Sequence, residues 1–269
     1  MYNYDMQFEK IYSRGEGMKE QLYTIPLNDA VNAGDECPFC YIERNIEQDL
    51  LDFVLGSGSS YMEADIREMT DKAGFCRTHF QKMFDYGNTL GNAWILKTHY
   101  MQMIGEMQKA FESFKPGKIR IKKKLREQKA NGNPIGMWVQ QKESSCYICN
   151  QYRKTYARYL DTFFYMFKQD QAFRDKIKES KGFCLPHFGD LCASDMVLNE
   201  KDRDEFYACV IPLMEENMKR VAEDVAWMVE KFDYRNKDAD WKNSKDAIQR
   251  GMQKLKGGYP ADPAYKMNK

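Results

Sequence analysis

Nothing in this sequence looks like a leader or a membrane anchor. Residues 1–10 lack a basic head followed by an apolar run, and the longest apolar stretches, such as Phe163 to Phe167, are far too short to span a bilayer. Charge of one sign is also missing: 41 Lys and Arg stand against 40 Asp and Glu, a net charge of +1. The chain as a whole therefore has no general attraction for nucleic acid or anionic lipid, and any such attraction must come from a local patch. No segment shows the apolar-polar alternation of a half-buried strand, so the expected fold class is all-α. HExxH, a phosphate-binding glycine loop, a dinucleotide fingerprint and a Ser/His/Asp order are all absent, which leaves a case for catalysis without a starting point.

What is present is a pattern used twice. Cys37-Pro38-Phe39-Cys40 is followed, after 35 residues, by Cys76 in Gly74-Phe75-Cys76-Arg77-Thr78-His79-Phe80. Cys146-Tyr147-Ile148-Cys149 is followed, after 34 residues, by Cys184 in Gly182-Phe183-Cys184-Leu185-Pro186-His187-Phe188. The Cys-x2-Cys pairs are offset by 109 positions and the Cys-x2-His pairs by 108, which reads as an internal duplication. Each copy supplies three thiols and one imidazole, a donor set suited to tetrahedral Zn²⁺. In chain order this predicts one site from Cys37, Cys40, Cys76 and His79 and a second from Cys146, Cys149, Cys184 and His187.

Six of the eight cysteines and two of the three histidines obey this one spacing, which buried thiols without an ion would not require. A thioredoxin-like dithiol reading of Cys37-Pro-Phe-Cys40 lacks the surrounding βαβ pattern, and the second copy has no proline between its cysteines. Four protein ligands close a coordination shell, which favours two structural zinc ions over catalytic ones. Iron-sulfur clusters on the same ligands are the rival, although the compact cysteine run of bacterial ferredoxins is absent. Cys₃His around Zn²⁺ carries a formal charge near −1. The residue after the third cysteine is Arg77 in one copy and Leu185 in the other, so helix N-terminal amides are the compensation both sites can share. His99, Cys192 and Cys209 have no counterparts in the other copy and read as packing residues.

The organisation expected along the chain is a polar extension over 1–17, a first helical repeat over 18–115 and a basic linker over 116–145. A second repeat over 146–235 and a C-terminal amphipathic helix and tail over 236–269 complete it. Tyr23 to Pro26 should be extended, because the residue before a proline avoids the α region, and Asn28-Asp29 should cap a short helical turn. Ile42, Ile46, Leu50, Phe53 and Val54 mark a helix with one buried stripe that stops at Gly56. From Arg77 to about Phe114 the chain reads as helix interrupted near Gly87-Asn88 and Gly91-Asn92. Cys76 and His79 then share the face of a helix start, where the dipole favours a thiolate.

In the second repeat Tyr152, Tyr156, Leu160, Phe163, Phe164 and Phe167 form a core stripe. A short helix should run on to Ala193, and Asn199 should cap a long one containing Pro212. The last helix, over about 244–256, places Ile248, Met252 and Leu255 on its apolar face. Lys118, Arg120, Lys122, Lys123, Lys124, Arg126 and Lys129, against the single acid Glu127, form the one charge run able to act as a nucleic-acid patch. No stacking aromatics alternate with those charges, so a solvated linker is the plainer reading.

Tyr23-Thr-Ile-Pro26, Cys37-Pro-Phe-Cys40 and the twofold Gly-Phe-Cys-x2-His together resemble an uncharacterised family of duplicated cysteine-rich bacterial proteins. The likeness runs from about Met18 to Gly257 and implies a bacterial, intracellular protein without implying an activity. Eight cysteines in a reducing compartment point to metal before disulfides, and a cytoplasmic address is expected. The functional expectation is a non-enzymatic helical protein whose metal ions pin helix starts together, forming a platform for a protein or small-molecule partner and not for a membrane. An iron-sulfur electron carrier or redox sensor, and a nucleic-acid-binding regulator, are the alternatives.

Overall fold

The computed structural model describes residues 21–58, 60–114, 133–258 and 265. The extension over 1–17 and the basic run from Lys118 to Lys129 lie outside the described residues. Within them the chain is helical and has no strand, as the sequence pattern requires. The helices are α1 (Gln21–Asn32), α2 (Pro38–Leu55), α3 (Ala64–Ala73), α4 (Arg77–Tyr86), α5 (Thr89–Ser113), α6 (Pro134–Glu143), α7 (Tyr147–Gln169), α8 (Gln171–Glu179), α9 (Leu185–Ala193), α10 (Glu200–Glu230) and α11 (Ala247–Lys256). Among the described residues no helix is long and apolar enough to cross a membrane.

Local chemistry sets most of these boundaries. Asn88 caps α5 through a bond from the Gly91 amide, and Asn199 caps α10 through one from the Asp202 amide. Gly87, with φ of 91°, ends α4 in the left-handed conformation that a side chain resists. Gly91 lies inside α5, so the interruption falls at Gly87-Asn88 alone. In the stretch expected as linker, Asn133 accepts from the Ile135 amide and Pro134 occupies the first turn, which starts α6.

The expected extended segment at Tyr23 to Pro26 is helical and belongs to α1. The reason is burial. Leu27 and Ala30 are fully buried, Val31 nearly so, and Tyr23 meets Tyr159 edge-on at 4.9 Å. Burying one Leu is worth roughly 1.5–3 kcal/mol, so several such side chains outweigh the roughly 3 kcal/mol cost of an interior proline.

The described residues within Met1–Ile42 and Ala157–Pro260 form one compact unit, and those within Glu43–Tyr156 and Ala261–Lys269 form the other. The boundaries fall inside α2 and α7. Apart from its C-terminal stretch over 261–269, the second unit is thus nested in the sequence of the first, instead of following it as a sequential repeat. The outer unit is built around Phe163, which meets Phe39, Phe164, Phe167, Phe173, Phe183 and Phe206 with ring centroids 5.5–6.4 Å apart. Most of these contacts are edge-on or tilted, the favourable aromatic geometry. The inner unit buries Leu51, Val54, Leu55, Phe75, Met83, Tyr86, Ile95, Tyr147 and Ile148.

Two expected apolar faces are turned differently. Phe53 is 46% exposed, with Leu51 and Leu55 buried beside Val54. In α11, Ile248, Met252 and Leu255 face outward, whereas Ala247, Arg250, Gln253 and Lys254 are buried. The inward polar face follows from Glu36, itself buried, which draws the cations of Arg220, Arg250 and Lys254.

Candidate metal centre

All four ligand pairs sit on helix starts. Cys37, Cys76, Cys146 and Cys184 immediately precede α2, α4, α7 and α9, and Cys40, His79, Cys149 and His187 are the third residues of those helices. An N-cap and a third helical residue project the same way, so each pair aims at one point. At α7 the Cys149 amide donates to the Cys146 sulfur at 3.4 Å, as it would to an oxygen cap.

The structure brings the eight residues into two groups of four, but the pairs exchange partners relative to chain order. One centre joins Cys37 and Cys40 to Cys184 and His187, and the other joins Cys76 and His79 to Cys146 and Cys149. The expected quartets of Cys37, Cys40, Cys76, His79 and of Cys146, Cys149, Cys184, His187 are therefore not the ones formed. The physical reason lies in the cores. Phe39, between the first two cysteines, packs on Phe183 and on His187. Phe75, before Cys76, packs on Tyr147 after Cys146. Each compact unit holds one complete centre.

In the first centre His187 Nδ1 lies 3.4, 3.6 and 3.2 Å from the sulfurs of Cys37, Cys40 and Cys184. Cys40 and Cys184 sulfurs are 3.7 Å apart. In the second, His79 Nδ1 lies 3.2, 3.3 and 3.3 Å from Cys76, Cys146 and Cys149, and the sulfurs of Cys76 and Cys149 are 3.9 Å apart. Within each group every ligand atom is within 4.8 Å of every other. Both groups could hold a metal ion, and their donor set fits one.

Electrostatics favours a cation at the same points. The hydrogen bond with Cys149 and that with His79 hold the Cys146 thiol well below the ordinary thiol value against the effect of burial. The neighbouring charge then drives Cys149 up, chiefly through its bond with Cys146. In the first centre burial opposes ionisation of Cys37, but its bonds with Cys184, Cys40 and His187 hold it low, and Cys40 is driven up chiefly by its bond with Cys184. Without a cation only one sulfur in such a pair is comfortably ionised, whereas a divalent ion stabilises all three thiolates together.

The surroundings differ between centres. His79 Nε2 faces a Glu47 carboxylate oxygen at 3.3 Å; donating there leaves Nδ1 bare for a metal. Glu47 also accepts from Lys82 and, at 2.5 Å, from the Tyr265 hydroxyl. Burial opposes its ionisation, but the His79 bond and the Lys82 charge hold it at about 2. The loops of the second centre are tied directly, the Tyr147 amide donating to the Gly74 carbonyl at 2.8 Å. At the matching position of the first centre stands Pro38, which has no N–H to give.

There the tie is made by a lysine of α11. Lys254, 1% exposed, donates to the carbonyls of Glu36, Lys181 and Phe183, and so links the backbone before Cys37 to that before Cys184. Its charge also pairs with the Glu36 carboxylate at 3.3 Å. Gly257 closes the centre: a Cβ there would lie 3.5 Å from the Cys184 sulfur and 3.8 Å from that of Cys40. The only advance signal for this role was a Lys one turn before a Gly-Gly pair, which any solvated helix end could show.

The remaining candidates, His99, Cys192 and Cys209, lie outside both groups. His99 lies against Gly74 and donates from Nδ1 to the Asp71 carbonyl at 2.9 Å.

The chain belongs to the Family of unknown function (DUF6062), which it matches over residues 18–262. No curated protein and no solved structure matches it.

Proposed function

We propose that this member of a family of unknown function is a non-enzymatic protein with two structural zinc ions, serving as a platform for a protein or small-molecule partner. The observation that carries the metal is the spacing of the ligand atoms. Zn–S bonds of about 2.3 Å and Zn–N bonds of about 2.05 Å set tetrahedral edges of about 3.8 Å between sulfurs and about 3.6 Å between sulfur and nitrogen. Edges of 3.7 and 3.9 Å, with 3.2–3.6 Å to nitrogen, are the size of one ion. An iron-sulfur cluster spreads its cysteines over several irons and needs its ligand sulfurs further apart, which favours zinc over that rival.

Four protein donors per ion leave no position for a reacting water, which argues for structural ions. Free thiolate ligands suit a reducing compartment, so we place the protein in the bacterial cytoplasm. A surface for a partner is offered where α9, whose start carries Cys184 and His187, meets α10. Leu185, Phe188, Met214 and Met218 line an open depression of about 440 Å³ there, and methionines adapt to varied apolar partners.

Elemental analysis of the chain purified without added metal tests this reading. The expected result is two zinc ions per chain and no visible absorbance. A brown protein containing iron and acid-labile sulfide would replace the reading with the electron-transfer one.

A further inference from the structure

The two centres present identical donors in unlike surroundings. All four ligand residues of the first are buried, Gly257 covers two of its sulfurs, and the Lys254 ammonium is held on the carbonyls beside Cys37 and Cys184. In the second, Cys76 and Cys149 are partly exposed while Cys146 and His79 are buried. The group bonded behind its imidazole is the carboxylate of Glu47, whose other oxygen pairs with the Lys82 ammonium.

A metal-bound thiolate keeps its nucleophilic character where reagents reach it, and loses it where burial and nearby positive charge stabilise the electron pair. The carboxylate on His79 makes that ligand more basic and leaves more electron density on the three sulfurs. The buried ammonium beside the first centre does the opposite. Access and charge thus point to the same centre.

Given zinc at both centres, on which the inference rests, we propose that the second centre is a peroxide-reactive thiol site. Its Cys76 and Cys149 are oxidised to a disulfide and its ion is released, while the first centre stays loaded. One of these two sulfurs attacks an oxygen of hydrogen peroxide; an S–O bond forms, the O–O bond breaks, and hydroxide leaves. The other sulfur attacks the resulting sulfenic acid, forming the S–S bond and expelling the second hydroxide. Two electrons pass from the two sulfurs to the peroxide, and two solvent protons convert the hydroxides to water.

The sulfurs begin 3.9 Å apart and belong to different helix starts, α4 and α7. Cys146 and His79 are then the only ligands left to the ion, too few for a closed zinc shell. The disulfide spans the junction the ion had spanned, so the helices stay joined after the metal is gone. A dithiol reductant and zinc restore the original state.

The test treats the zinc-loaded full chain with hydrogen peroxide, follows free zinc with a chromogenic chelator, and maps cysteines by differential alkylation and mass spectrometry. Release of one of the two zinc equivalents is expected, with Cys76 linked to Cys149 and Cys37, Cys40 and Cys184 still reduced. Glu47→Gln should slow that release. Loss of both ions in one phase, a disulfide that excludes Cys76, or no release under excess peroxide would each overturn the proposal. Zinc content measured before oxidation separates these outcomes from failure of the zinc reading, because a chain without zinc at that point overturns the reading itself.

Discussion

The sulfur of Cys37 lies 3.4 Å from Nδ1 of His187, a residue 150 positions further along the chain. The nearer Cys-x2-His pair, Cys76 and His79, serves the other centre. Metal stoichiometry in double variants reports this exchange directly. Cys37→Ser with His187→Ala damages one centre and should leave one zinc per chain. Cys37→Ser with His79→Ala damages both and should leave none. The reverse ranking would restore pairing in chain order.

Chelation should unfold the chain or leave it without fixed packing, because each group ties together loops far apart in sequence and metal binding is linked to folding. Circular dichroism and amide exchange during titration with a strong zinc chelator measure this. Retention of the helical signal and of cooperative melting after complete zinc removal would show that the ions are dispensable to the fold.

Lys254→Met should destabilise the protein by about 3 kcal/mol, the lower end of what breaking a buried ion pair costs, since Glu36 keeps Arg220 and Arg250. Three carbonyls also lose their shared donor. Denaturant melts of the metal-loaded variant provide the number, and a change below about 1 kcal/mol would mean that the tie across the first centre is unimportant.

Tyr86 supplies a pH dependence. Burial first, then the hydrogen bond to Asp52 at 2.6 Å and that carboxylate's charge, push its hydroxyl above the ordinary phenol value. Its folded pKa is raised, so the stability it contributes is complete below about pH 10, the unfolded value, and is lost as pH rises towards the folded one. Tyr86→Phe should cost about 2 kcal/mol at neutral pH, as for a hydrogen bond to a charged group. That deficit should shrink above about pH 10 in parallel urea melts. A deficit independent of pH would remove Asp52 from the account.

Much of this was legible in residue types and short spacings. Cysteine before a helix and a Cys or His three residues on is a local geometry, so the eight candidate donors could be picked out without a tertiary contact. Asn199 marked the start of α10, and the Phe163, Phe164 and Phe167 stripe marked a core that is indeed buried. Which ligand pair meets which could not be read that way, because each pair is chemically complete in half and accepts either complement. The choice is made by Phe39 against Phe183 and Phe75 against Tyr147, contacts that leave no periodic trace. The face of α11 was misread for a related reason. Ile248, Met252 and Leu255 carry the apolar signal, but a buried Glu36 more than two hundred positions away turns Lys254 and Arg250 inward.

The nested path of the chain imposes an order of completion during synthesis. As a ribosome delivers the chain from its N-terminus, Cys76, His79, Cys146 and Cys149 are all available before Cys184 and His187 exist. The inner centre can close first. Cys37 and Cys40, made earliest of the eight, must wait as uncommitted thiols for the longest time, and the lysine that ties their loop arrives later still.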